Sequence, residues 1–121
     1  MSVQLQIEET PIYLIARFIG AGTAKEVWLQ YEFIAESCER AHKNKLLLDF
    51  REAYGEVFLE DRFFIGEKAQ IFARYKVIKI AAVDRPERID YEWFAEKVAQ
   101  NRGVNIRGFK NVKDAVEWLL K

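Results

Sequence analysis

The order of apolar patterns along the chain predicts a single α/β domain on one mixed, mostly parallel sheet, with elements in β-β-α-β-α-β-α-β-α order. Three observations carry that expectation. Two short N-terminal runs alternate polar and apolar residues across a brief Pro-containing connection, which makes them an antiparallel pair. From there on, helical spacing alternates with short, continuously apolar runs, the pattern of parallel strands joined by right-handed helical crossovers. Finally, 121 residues of which half are hydrophobic, with only 6 Gly and 2 Pro, supply one core and no linker. Residues 1–121 therefore read as one domain, without internal repeat or low-complexity segment.

Val3, Leu5 and Ile7 alternate with polar residues as a half-buried strand, and Glu8-Glu9-Thr10-Pro11 is a turn because Pro11 fixes φ and removes a donor. Ile12 to Phe18 forms the second strand, with Ile12, Leu14, Ala16 and Phe18 on one face. Gly20-Ala21-Gly22 breaks the pattern, and Thr23 with Glu26 makes a capping box. The helix that follows buries Val27, Tyr31, Ile34, Cys38 and Ala41 and stops near Asn44. Leu46-Leu47-Leu48 with Phe50 is a strand covered on both faces. A second helix, Leu59 to about Arg74, buries Phe63, Ala69 and Phe72, and Gly66 permits close packing. Val77 to Val83 is the next strand, interrupted only by Lys79. Asp90 caps a third helix that runs to about Asn101, buries Phe94 and Val98, and stops at Gly103. Val104 to Phe109 is a strand whose Asn105 and Arg107 suit an edge. Asn111 caps the last helix, with Val112, Ala115, Val116 and Leu119 in one apolar stripe.

Charge narrows the function. Lys plus Arg number 19 and Asp plus Glu number 19, which removes the electrostatic reason to bind nucleic acid or an anionic membrane. No apolar run approaches the ~20 residues of a bilayer span, so stable membrane insertion is not expected. The start, Met1-Ser2-Val3-Gln4, lacks the cationic and apolar blocks of a signal peptide. One cysteine, Cys38, makes no internal disulfide, and a reducing cytoplasm is the default compartment.

Motifs with chemical potential are few. Cys38 and His42 stand at i and i+4 on one helix, the spacing of a nucleophile and its base or of two metal ligands. Neither role can be completed, because the chain holds no other Cys or His, and Cys38 lies on the buried stripe. Gly20-Ala21-Gly22-Thr23 lacks the third Gly of a dinucleotide fingerprint and the Gly-Lys-Ser/Thr of a P-loop, and reads as a turn and a cap. No catalytic residue, metal site or cofactor is assigned, and an enzyme is not expected.

Two surfaces remain. Ligands of open α/β sheets bind beyond the carboxyl ends of the parallel strands. There the connections from residue 49 to 58, from 84 to 89 and from 109 to 111 gather Arg51, Tyr54, Phe58, Arg85, Arg88, Phe109 and Lys110. They form either a cationic, aromatic-lined edge for a small apolar or acidic ligand, or ordinary solvated loops with arginines paired to Glu52, Glu56 and Glu87. The second surface is a side stripe of Trp28, Leu29 and Phe33, joined by Phe64 of the next helix. It fits a protein interface, a homodimer contact, the wall of an apolar pocket, or core under a broad helix face, since all obey one periodicity.

The residues that carry a resemblance are spread over nearly the whole chain. They are Ile19-Gly20 with Thr23-Ala24, Lys45-Leu46-Leu47-Leu48-Asp49-Phe50, Lys79-Ile80-Ala81-Ala82-Val83, and the closing run from Phe109 through Asn111 and Ala115 to Leu119. In this pattern the chain resembles the STAS domains, the fold of anti-sigma-factor antagonists, and especially their SpoIIAA-like branch, grouped near the CRAL-TRIO lipid-binding proteins. The resemblance implies a regulatory, non-enzymatic module that acts on a protein partner or associates with itself as a homodimer. Its lipid-binding side implies, as the alternative, a small lipophilic or acidic ligand. The antagonists are switched by phosphorylation of a Ser or Thr after the central strand. Here that stretch, Arg51 to Leu59, has only the hydroxyl of Tyr54, and every Ser and Thr of the chain lies at positions 2, 10, 23 and 37. The Ser/Thr switch is thus not carried over.

Overall fold

In the computed structural model of the chain, residues 2–121 are described, with the backbone alone for residues 89–94. Strands β1 (Gln4–Glu9) and β2 (Leu14–Ala21) pair antiparallel. Thr10 locks the turn between them: its hydroxyl donates to the Tyr13 carbonyl (2.8 Å) and accepts from the Tyr13 N–H (3.0 Å). Strands β3 (Lys45–Tyr54), β4 (Lys79–Val83) and β5 (Ile106–Phe109) follow in parallel with β2, so the five-stranded sheet has the order β1-β2-β3-β4-β5. The sheet is mixed and mostly parallel, as the sequence patterns predict.

Each parallel strand adds on the same side of its predecessor, so right-handed crossovers stack their helices on one face. That face carries α1 (Ala24–Trp28), α2 (Tyr31–Arg40), α3 (Leu59–Lys68), α4 (Gln70–Arg74) and α5 (Pro86–Asn101). Its core joins Leu14, Phe18, Leu46, Leu48 and Ile80 of the sheet to Tyr31, Ile34, Cys38 and Phe72 of the helices. Helix α6 (Val112–Leu119) has no strand after it and packs on the opposite face, against β3, β4 and β5. There Ile15, Leu47, Ala81 and Val83 meet Ala115 and Leu119. The continuously apolar runs are explained by this double cover, since alternate residues of one strand enter different cores.

Several boundaries differ from expectation. The first helix divides because the Gln30 N–H reaches back only three residues, to the Val27 carbonyl. The second divides at Ala69, whose carbonyl accepts from the Phe72 N–H over the same short step. Helix α5 starts at Pro86, not Asp90: a proline at the first helical position lacks only an N–H that would be unpaired anyway. The expected burial of Phe94 lies outside the described residues. Strands β4 and β5 begin later than expected, leaving Val77 and Val104 as buried connection residues. Phe63 is half-buried, with the Arg102 guanidinium 5.3 Å from its ring centre. The capping box is half formed. Thr23 accepts from the Glu26 N–H at 3.3 Å, but the Glu26 carboxylate accepts from the Val3 N–H (2.8 Å) and so pins the start of the chain.

Strand β3 also runs further than expected. Between Arg17 and Ile19 its pairing partner moves from Asp49 to Glu52, so β3 carries an extra residue in a bulge and continues alongside β2 to Tyr54. After the bulge, Ala53 turns into the helix-covered core.

Candidate functional site

A cavity of about 110 Å³ opens at the carboxyl ends of the parallel strands, on the face that carries α1 and α3 to α5. Its cause is side-chain size. Ala53 and Ala82 from the sheet face Ala69, Ala95 and Ala99 from the helices, with Leu48 and Ile106 closing the inner end. Gly66 lets α3 approach α5 so closely that a Cβ there would overlap the Ala95 carbonyl oxygen.

The mouth is framed by two turns. The Gly22 N–H donates to the Tyr54 carbonyl at 3.1 Å, latching the β2–α1 turn to the β3–α3 turn. Gly55 sits at φ +138, and a Cβ there would overlap the Gly22 carbonyl oxygen, so only glycine fits. Thr23, Tyr54, Glu56 and Arg62 line the cavity with polar groups.

Asp84 and Arg88 also line it. Asp84 is 1% exposed, and its Oδ1 accepts from Arg88 Nε (2.9 Å) and from the Arg85 N–H (2.7 Å). The Arg88 guanidinium also donates to the carbonyls of Ala53 and Phe50, each at 2.7 Å. One arginine thereby neutralises a buried carboxylate and ties the N-terminus of α5 to the bulge of β3.

The seven ligand-site residues expected from the sequence divide between regions. Tyr54 and Arg88 line the cavity. Arg85 caps its outer side, with its guanidinium 4.2 Å from the Tyr54 ring centre and its Nε donating to the Arg51 carbonyl. Arg51 lies in β3 and points at Asp49, to which it donates from Nε (2.9 Å) and NH2 (2.8 Å). Phe109 joins the opposite core, its ring 5.6 Å from that of Trp118, because the strand before α6 leads to the other face. Phe58 is exposed at the head of α3, and Lys110 is exposed after β5. The alanines at the ends of β3 and β4 were missed. Their only trace in the sequence is their small size.

The apolar stripe lies largely at the surface. Leu29 is 64% exposed, Phe33 49% and Phe64 40%. Trp28 is half-buried, its ring 5.6 Å from that of Phe64, so the stripe bridges α1 and α3. Cys38 is fully buried and its thiol is pushed up to about 12 by desolvation, which leaves no thiolate for nucleophilic work. His42 follows α2 in a left-handed conformation (φ 57). Among the described residues, no three His, Cys, Asp or Glu side chains gather in a metal-ligating group. Among them, too, no helix is long and apolar enough to cross a membrane.

An antiparallel hairpin leading into a parallel sheet in sequential order, helices on one face and a final helix on the other: this is the SpoIIAA-like fold. The chain is similar to an anti-sigma-factor antagonist from Mycobacterium paratuberculosis, with a TM-score of 0.65, 11% identity, and 99% of this chain and 96% of that one covered. It is also similar to an uncharacterised protein with a SpoIIAA-like fold from Shewanella loihica, with a TM-score of 0.58, 22% identity, and 98% and 93% of the two chains covered. At such identities the likeness establishes the fold alone. No protein-family model matches the sequence, and no curated protein matches it.

Proposed function

We propose that the chain is a non-enzymatic regulatory module of the cytoplasm that works by binding protein, a second copy of itself included, and that it does so without a Ser/Thr phosphoswitch. The observation that carries this reading is the exposed apolar stripe of Leu29, Phe33 and Phe64 beside Trp28. Exposed aromatic groups of this kind are the usual anchors of protein interfaces. The shared fold supports the reading, since the Mycobacterium neighbour is by name an antagonist of a protein factor. The turn after β3 supports the loss of the switch, because Tyr54-Gly55-Glu56-Val57-Phe58 offers no serine or threonine.

Sedimentation across a concentration series tests it. The wild-type chain is expected to associate, and a Leu29→Ser, Phe33→Ser variant to remain a folded monomer with its melting temperature nearly unchanged. A wild type that stays monomeric, together with variants that unfold, would return these side chains to the core and defeat the reading.

A further inference from the structure

The protein-binding reading leaves the cavity between the two turns unused. Its inner wall is made of Leu48, Ala53, Ala69, Ala82, Ala99 and Ile106, which offer no polar side chain. The charged pair at its side is engaged within the protein: Arg88 donates to Asp84 and to the carbonyls of Ala53 and Phe50. A ligand's inner end must therefore be uncharged, since a charge placed there would be desolvated without a partner. Of the other polar lining residues, Thr23, Tyr54 and Glu56 belong to the two latched turns, Arg62 to α3 and Glu96 to α5. In size, the cavity approaches the ~150 Å³ apolar cavity that admits a benzene molecule.

We propose that this cavity is a binding site for one aliphatic chain of a small amphiphile, inserted tail first, with its polar end held at the turns formed by Thr23 and Tyr54. Burial of successive methylenes supplies the affinity, and the small walls set the length accepted. The alanines are then the specificity determinants, because any larger side chain at those positions takes the space of the tail.

Calorimetric titration with straight-chain alcohols from butanol to decanol, on the full chain, tests this. Affinity is expected to rise roughly fourfold per added methylene, then stop rising once the chain outgrows the cavity. Ala82→Leu, which fills the void, is expected to raise the melting temperature and weaken binding by roughly tenfold. Ala53→Val provides the same comparison should Ala82→Leu fail to fold. In a parallel series of the matching carboxylates, an equal gain per methylene shows that the tail alone enters, and the offset between the series at equal chain length separates free alcohols from acyl tails as the source. The proposal is overturned if no alcohol gives saturable binding. It is equally overturned if affinity climbs through decanol without a break and the filled variant binds as wild type does, since that is partition onto exposed apolar surface.

Discussion

Each face of the sheet buries one carboxylate, and the two are paired differently. On the face that carries α1 to α5, the acidic group at the strand ends is Asp84, buried and held through Oδ1 by Arg88 and the Arg85 amide. On the other face α6 covers only part of the sheet, and its cover ends where Ile15 gives way to Arg17 on β2 and Leu47 to Asp49 on β3. Asp49 there meets Arg51 at 2.8 Å and Arg17 at 3.7 Å, and Arg17 reaches on to Glu8 at 2.7 Å. Asp49 is itself only 5% exposed, but both its arginines reach solvent. A buried acid with a single counter-charge is costly to strand, whereas one shared by two solvent-reaching arginines keeps a partner when either arginine is removed.

That contrast can be broken by experiment. Arg88→Ala leaves Asp84 buried and unpaired, and is expected to cost about 4 kcal/mol by urea denaturation; a loss near that of a surface pair would erase the distinction between the faces. Leu119→Ala removes the fully buried anchor of α6 and is expected to cost about 3 kcal/mol, measured in the same way. Asp49→Asn keeps an oxygen for the Arg51 donors but removes the charge, so it should cost about 2 kcal/mol at neutral pH, and it sharpens the comparison through its pH dependence. Burial pushes the Asp49 carboxyl up, but the Arg51 hydrogen bonds and charge, aided by Arg17, outweigh burial and hold it below its ordinary value near 3.8. Its contribution is thus complete above that ordinary value and lost as pH falls through the lower folded one. The wild-type acid limb should therefore be steeper than that of Asp49→Asn, and identical limbs would remove Asp49 from the account.

Much of this fold was legible residue by residue. Leu46-Leu47-Leu48 announced a doubly covered strand, and Asn111 marked the start of α6, where its side-chain oxygen accepts from the Asp114 N–H at 2.9 Å. Lys79, the one charge in its apolar run, is accounted for by α6: its ammonium donates to the Trp118 carbonyl at the helix's C-terminal end and lies 4.6 Å from the Trp118 ring centre. The start of α5 was misplaced because Asp90 satisfied a capping rule, while Pro86 at the first helical position was the better mark. The site was less legible than the fold. Arg51, Tyr54 and Phe109 lie near the ends of their strands and Arg88 in the first turn of α5, and only the bulge in β3 and the crossing of α6 decide which face the strand residues join. Both depend on long-range packing and not on local spacing. The cavity is subtler still, because absence of volume leaves no periodicity behind.

The latch between Gly22 and the Tyr54 carbonyl has a consequence for how such a chain can diverge. Its aperture is set by main chain against main chain, at a point where Gly55 admits no side chain. Mutation can thus enlarge or shrink the chamber behind it, one alanine at a time, without altering the doorway. A lineage that changed its ligand would be expected to vary at positions 53, 69 and 82 and to keep glycine at 55, and a substitution there would signal that the doorway itself had been given up.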